Sequence, residues 1–124
     1  MLNKSKTQFF SNKRLSDGPW QMFERDFARL LMQKGFDDVR VVGGSGDMGA
    51  DIIGMINDEL WVFQCKHSKN YRPPINAIQE AVNAAEIYGA DRIGVVISTY
   101  PNESFNREIK RFEQRGLTIA VFGP

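Results

Sequence analysis

The first candidates for a chemical role are an amide and an amine at the end of a hydrophobic segment, residues 60–66. Side chains alternate between the two faces of a strand, so Gln64 and Lys66 share a face with Leu60 and Val62. Burying a polar or charged group on an apolar face is costly unless the group has a partner or a purpose. We therefore take Gln64 and Lys66 as candidates for chemistry.

Asp51 is the acid that a hairpin would bring to these two side chains. The strand that starts at Asp51 and the strand that ends at Lys66 are joined by a predicted turn within residues 57–59. A two-residue turn starting at Asn57 would pair Asp51 with Gln64, and a turn starting one residue later would pair it with Lys66. Directly paired residues point to the same face, so either register clusters the three groups. A three-residue turn without a bulge would separate them.

The cluster suits metal-assisted attack on a phosphate. The Asp51 carboxylate, the Gln64 amide oxygen and the backbone carbonyl of Cys65 are hard ligands of the kind that Mg²⁺ accepts. Mg²⁺ keeps several waters, lowers the pKa of a bound water and neutralises charge on phosphorus. Lys66 is placed to orient the attacking water or to stabilise the pentavalent phosphorane.

Two further carboxylates are candidates for the same site. Glu24 lies one turn after Trp20 and directly after Phe23, at the edge of an apolar stripe with helical spacing. From there its carboxylate can reach a metal through water, or it is a solvated residue on the flank of the helix. Asp47 is a rival or auxiliary carboxylate. We prefer Asp51 because it begins the strand opposite the lysine.

The residues around the lysine offer weaker candidates. His67 adjoins Lys66 and can touch a phosphate, although such a histidine is more often a surface residue at a strand end. Lys69 and Arg72 form a basic cluster with Lys66 that suits phosphate contacts, with ordinary solvated surface as the alternative. The thiol of Cys65 points to the opposite face and is predicted to pack in the core.

A glycine-rich segment, residues 43–49, precedes Asp51 and contains the spacing of a dinucleotide-binding fingerprint at Gly44, Gly46 and Gly49. Such a site also needs a helix after the glycines, whose N-terminus meets the pyrophosphate. Residues 50–54 favour a strand instead. We therefore do not expect a dinucleotide site.

The elements that must position these side chains follow from periodicity, turn residues and helix caps. A first helix is capped by Ser16 or Asp17, carries Pro19 in its first turn and ends at Gly35. The later elements, in chain order, are a strand at residues 39–42, hairpin strands at 51–56 and 60–66, a helix at 75–88, a strand at 93–97, a helix at 102–115 and a strand at 117–122.

This order predicts an α/β fold. Strand–helix–strand steps imply parallel pairing near the C-terminal end, and the hairpin implies antiparallel pairing before it. We expect a mixed β-sheet flanked by helices in the order αβββαβ, followed by a further αβ. Residues 1–15 are predicted to be a polar N-terminal arm, loose or containing a short extra element, and residues 16–124 to form the domain.

Asp51 followed by Gln64-Cys65-Lys66 resembles the signature of the PD-(D/E)xK nucleases. Residues 46–52 and 62–66 are similar to its Mrr-like branch, which carries glutamine in place of the second acid, and the resemblance extends over residues 20–122. It implies a restriction-endonuclease-like fold that cleaves DNA phosphodiesters with Mg²⁺. The residues carried over are Asp51, Gln64, Lys66 and, from the first helix, Glu24.

The resemblance also places the second helix at the border of the site. Gln79 is therefore a candidate for contacting metal-bound water or DNA, with a solvated helix face as the alternative. The chain departs from the family pattern at Met48, where a glycine is common. Gln64 is a weaker ligand than an acid, which implies a modest affinity for the metal.

Composition fits one globular domain: the chain has 124 residues, of which 42% are hydrophobic and 25% charged. A formal net charge of +1 is low for a dedicated non-specific DNA binder. The single cysteine and single histidine cannot fill a four-ligand zinc site. We see no signal peptide and no membrane-spanning apolar run, and we expect a cytoplasmic protein without membrane contact.

We therefore expect a Mg²⁺-dependent DNA endonuclease domain, with Mn²⁺ able to substitute, that is the cleavage module of a larger restriction enzyme. No segment suits base recognition or ATP hydrolysis, so the expected partners are DNA, a fused translocase, helicase or DNA-recognition domain, and a second copy in a transient dimer on DNA. The alternatives are a Holliday-junction resolvase or a nuclease toxin of the same fold, and a non-catalytic DNA-binding module.

Overall fold

One six-stranded sheet organises the chain in the computed structural model, which describes residues 7–9, 20–42, 49–67 and 73–123. The strands lie in the spatial order β1-β6-β5-β4-β3-β2. Their bounds are β1 Thr7–Phe9, β2 Asp37–Val41, β3 Gly49–Ile56, β4 Glu59–Lys66, β5 Arg92–Ile97 and β6 Ile119–Gly123. The helices are α1 Trp20–Gln33, α2 Asn76–Tyr88 and α3 Glu103–Gln114.

The predicted α/β fold class and the element order from α1 onward are confirmed. The first strand of the series, predicted at residues 39–42, is β2 and begins earlier, at Asp37. The last, predicted at residues 117–122, is β6 and begins later, at Ile119. The sequence pattern did not specify β1, which lies within the segment predicted as an arm and pairs in parallel with β6.

The connections explain why the sheet is mixed. β2, β3 and β4 pair antiparallel, whereas β4, β5, β6 and β1 are parallel neighbours. β3 and β4 are joined by a tight turn, and α2 and α3 are the crossovers from β4 to β5 and from β5 to β6. A short turn can reverse the chain, whereas returning in the same direction requires a long crossover. As a result, β4 and β5 end at the edge of the sheet where β3 begins.

The hairpin turn decides the register that the sequence left open. Asn57 and Asp58 are its two central residues and both have positive φ, 51° and 63°. A turn with two left-handed residues matches the twist of the strands it joins, and asparagine and aspartate tolerate that conformation best after glycine. The turn therefore starts at Asn57, Ile56 pairs with Glu59, and Asp51 pairs with Gln64.

Each face of the sheet carries its own hydrophobic cluster. The face under α2 and α3 buries apolar residues of β4, β5 and β6 against both helices; among them are Val62, Ala77, Ile78, Ala81, Ile93, Val95, Phe105, Ile109, Phe112 and Val121. The other face packs against α1 and buries an aromatic group; its members include Phe27, Leu31, Ile52, Trp61, Phe63, Cys65 and Phe122. We call these the α2 face and the α1 face.

The ends of the later helices follow their sequence signals. Asn102 is the N-cap of α3, and its side-chain oxygen accepts a hydrogen bond from the Phe105 amide at 2.9 Å. Gly89 ends α2 in the left-handed conformation, with φ at 66°. Gly49 opens strand β3, so a strand follows the glycine-rich segment instead of the helix that a dinucleotide site needs. None of the helices in the described part of the chain is long and apolar enough to cross a membrane.

Candidate active site

Strands β3 and β4 bring three of the predicted site residues together. Asp51 pairs with Gln64, and Lys66 lies two residues further along the same face of β4. Pairs further along the hairpin, Ile53 with Val62, lie on the α2 face, so the three polar side chains continue that face toward the edge of the sheet. Gln64 is 6% exposed, and the Lys66 side chain is 24% exposed.

A second carboxylate meets this group from α2. The Nζ atom of Lys66 lies 3.1 Å from Oε1 of Glu80. The sequence pattern pointed to its neighbour Gln79 and not to Glu80. A signal for it exists, because Glu80 lies three residues after Ala77 and four before Ala84, both buried against the sheet. On a helix, that spacing places a charged side chain in line with the apolar stripe.

The surroundings of Asp51 make its ionisation less favourable. Burial raises the pKa of Asp51, the negative charge of Glu80 raises it further, and the positive charge of Lys66 lowers it. The net direction is upward from the ordinary value of an aspartate. A carboxylate that is partly desolvated and faces another carboxylate is stabilised by a bound cation.

Glu24 is buried instead of solvated, with 8% of its surface exposed. It extends from α1, and burial raises the pKa of its carboxyl. Both Glu24 and Asp51 raise the pKa of the Cys65 thiol, after the larger effect of that thiol's own burial. Cys65 is 1% exposed within the α1 face, which confirms its predicted place in the core. Glu24 on α1 and Asp51 on β3 thus both act electrostatically on the same residue of β4.

The other predicted residues lie at or beyond the margin. Gln79 is exposed on α2 and its amide donates a hydrogen bond to Oδ1 of Asn83 at 3.0 Å. His67 follows directly on β4 and is half-buried. The remaining candidates, Asp47, Lys69 and Arg72, lie outside the described residues.

The end of β5 adds a hydroxyl that the sequence pattern did not indicate. Lys66 pairs with Ile97 in the parallel register, so the residues that follow both strands come out at the same edge. Thr99 comes two residues after Ile97, and its Oγ1 atom is enclosed without a hydrogen-bond partner in the described part of the molecule. An unsatisfied buried hydroxyl is uncommon and is available to a ligand or a water at this edge.

The donor set fits a hard divalent cation. Within residues 20–42, 49–67 and 73–123, no three side chains of His, Cys, Asp or Glu are grouped closely enough to form a metal cage. Mg²⁺ does not need one, because it commonly uses one or two carboxylates and keeps several waters. The Asp51 carboxylate, the Gln64 amide oxygen and the Cys65 carbonyl are oxygen donors of that kind, and Glu80 adds negative charge beside them.

Comparison with known proteins gives two findings. A family model described as a restriction endonuclease matches residues 15–120. The crossover junction endodeoxyribonuclease Hjc of Methanocaldococcus jannaschii is 35% identical over 69 residues, which are 54% of this chain and 50% of that relative. The chain therefore spans about half the length of this curated relative. Comparison with solved structures gave no match.

Proposed function

The chain belongs to the restriction endonuclease family, and we propose that it is a Mg²⁺-dependent endonuclease domain that hydrolyses DNA phosphodiester bonds. The observation that carries the proposal is the register of the hairpin. It places the Asp51 carboxylate directly across from Gln64, with Lys66 on the same face. A carboxylate, an amide and a half-buried amine at the edge of a sheet suit phosphate chemistry better than they suit a core.

Each residue of the site has a chemical role in this proposal. Asp51, Gln64 and the Cys65 carbonyl would hold Mg²⁺, with Mn²⁺ able to substitute, and Glu24 would act through water. The cation supplies a bound water of lowered pKa and neutralises charge on the phosphate. Lys66 would lie beside the scissile group, where its amine orients the attacking water and stabilises the pentavalent phosphorane. Thr99 offers a further hydrogen bond at the same edge.

The biological setting is also a proposal, and it rests on the family to which the chain belongs. The domain is the cleavage module of a cytoplasmic restriction enzyme that carries a translocase or a DNA-recognition domain on the same polypeptide. Two strands of a duplex need two cuts, so a transient dimer on DNA is part of the proposal. Lys69 and Arg72 follow the site in sequence and are the residues we propose for backbone phosphate contacts.

Cleavage of supercoiled plasmid in Mg²⁺, Mn²⁺ or Ca²⁺ tests the activity directly. We expect nicked or linear product with Mg²⁺ and Mn²⁺, and rates lower by about 10²–10³-fold or more in Asp51→Ala and Lys66→Ala. Glu86→Ala and Lys110→Ala change exposed helix residues away from the site and serve as matched controls for loss of charge. Equal cleavage by all five proteins would show that another site, or a contaminant, is responsible.

A Holliday-junction resolvase is the second candidate, favoured by the similarity to the archaeal junction endonuclease over 69 residues. A four-way junction and a linear duplex built from the same strands separate the two functions. A restriction-type module cleaves both substrates at comparable rates, and a resolvase cleaves the junction far faster. Mg²⁺-independent binding without cleavage of either substrate would point instead to a non-catalytic module.

A further inference from the structure

The site contains a charged group to which the proposed mechanism gives no role. Glu80 meets Lys66 at 3.1 Å, and the Oε1 atom that makes the contact is shielded from solvent although the side chain as a whole is 43% exposed. By comparison, the side chains of the Arg40–Asp38 pair are 64% and 58% exposed, and those of the Arg92–Glu59 pair are 39% and 33% exposed. The Lys66–Glu80 pair is therefore more than a contact between solvated residues.

A charge count shows what Glu80 changes. The hairpin contributes one carboxylate, Asp51, because Gln64 is neutral, and the positive charge of Lys66 cancels it. A hairpin with no net charge is by itself a poor place for a divalent cation, whose protein ligands are mainly anionic oxygens. Glu80 restores one net negative charge before the cation arrives. The negative charge of Glu80 also raises the pKa of Asp51, so without a cation the ionised form of Asp51 is disfavoured.

We propose that Glu80 supplies the second carboxylate of the divalent-cation site, where it balances the charge of the cation and holds Lys66 beside Asp51. The inference rests on the proposed function and assigns to α2 the anionic role that Gln64 cannot fill. Glu80 is preferred to Glu24 because Glu80 lies on the α2 face with Lys66, whereas Glu24 extends from the helix that covers the α1 face.

Calorimetric titration with Ca²⁺, followed by Mg²⁺, tests the proposal without depending on cleavage. We expect Glu80→Gln to weaken cation binding by about 10- to 100-fold, the range for groups that support metal ligands. Glu86→Gln removes the same charge from an exposed position on the same helix and is expected to bind like the wild type. Circular dichroism and thermal unfolding establish that each variant is folded.

Two further backgrounds separate charge supply from simple positioning of the lysine. In Gln64→Glu the hairpin itself carries a second carboxylate, so adding this change to Glu80→Gln should restore most of the lost affinity. In Lys66→Met there is no amine to position, and Glu80→Gln should still weaken cation binding. If Glu80→Gln has no effect on affinity in the Lys66→Met background, Glu80 acts only through the lysine and the proposal is wrong.

The remaining outcomes are also decisive. Wild-type affinity in Glu80→Gln would overturn the role of Glu80 and leave the nuclease proposal standing. Absence of any Ca²⁺ or Mg²⁺ binding by the wild-type chain would refute both the Mg²⁺-dependent nuclease and this inference. The proposal requires that Glu80→Gln weakens cation binding and that adding Gln64→Glu restores it. It also requires that Glu86→Gln binds cations like the wild type.

Discussion

At the scale of single residues, the candidate site contains carboxyl groups whose surroundings disfavour the ionised form. Asp51 is a carboxyl whose pKa is raised by burial and by Glu80, and Glu24 is a carboxyl whose pKa is raised by burial. Ionising either group works against the metal-free fold, since a raised pKa means that the folded state favours the protonated form. A bound cation would favour the ionised form of both carboxyl groups, so such an arrangement is expected at a cation site.

This predicts an unusual pH profile for the metal-free protein. A group with a raised folded-state pKa gives stability that is fully present below its unfolded pKa and is lost as the pH rises through its folded pKa. The contribution of Asp51 to the free energy of unfolding should therefore be present below the ordinary pKa of an aspartate and fall as the pH rises above it. We expect Asp51→Asn to be more stable than the wild type at pH 7 and to have a flatter profile, measured by urea unfolding with EDTA.

Glu86→Gln is the control for this experiment, because Glu86 is exposed on α2 and the change should leave the profile as it is. Added Mg²⁺ should stabilise the wild type at pH 7 and have no such effect on Asp51→Asn. A metal-free Asp51→Asn domain that is less stable than the wild type at pH 7 would contradict the electrostatic account.

Cys65 gives a second prediction at this scale. Burial, then Glu24 and Asp51, raise the pKa of the Cys65 thiol well above its usual value. Because the thiolate is the reactive form, the native protein should label far more slowly with a thiol reagent than the same chain in denaturing urea. Rapid stoichiometric labelling of the native protein at pH 8 would show that the thiol is accessible.

At the scale of elements, the central strands approach one another closely beneath the aromatic residues of the α1 face. A Cβ atom at Gly94 on β5 would lie 2.5 Å from Cδ1 of Phe63 on β4. The Phe63 ring is 0% exposed, stacks on Trp61 with centroids 5.4 Å apart and meets Phe27 edge-to-face at 5.1 Å. Since these neighbours enclose the ring, it has little room to give way.

We therefore expect Gly94→Ala to lower the free energy of unfolding by about 1–3 kcal/mol through overpacking. Gly54→Ala is a graded control, because its Cβ would lie 3.2 Å from Cδ2 of Phe36 and 3.4 Å from Cγ2 of Val39. Its effect should be smaller. Urea unfolding of the three proteins measures both differences, and a Gly54→Ala loss equal to or larger than that of Gly94→Ala would contradict this packing account.

At the scale of the whole molecule, charge limits what the domain does alone. The net charge is +1, which gives little general attraction to DNA. In addition, Lys66 and Arg92 form ion pairs with Glu80 and Glu59, so part of the positive charge is already paired within the domain. The low net charge therefore predicts weak binding of DNA by this domain alone.

We predict that the 124-residue chain binds linear duplex DNA weakly, with a Kd of about 10⁻⁶ M or higher at physiological salt, and that affinity falls as salt rises. Fluorescence anisotropy with a labelled duplex in Ca²⁺, between about 50 and 200 mM salt, measures both quantities. Nanomolar, salt-insensitive binding would show that this domain carries its own recognition surface.

The sequence alone determined the features that depend on neighbours along the chain. Alternation on the strand that ends at Lys66 placed Gln64 and Lys66 on one face, and turn residues near Asn57 predicted the hairpin. Helix stop signals such as Gly89 located element boundaries to within a residue or two. These signals are local, since they arise from backbone conformation and side-chain direction over a few residues.

Only the tertiary structure decided the contacts between distant segments. Of the two registers that the sequence left open, the structure has the one that pairs Asp51 with Gln64. It buried Glu24, and it brought Glu80 to Lys66 across the packing of α2 on the sheet. Whether a charged residue at the edge of a helical stripe meets solvent or a partner depends on which element packs against that edge, and local periodicity does not contain that information.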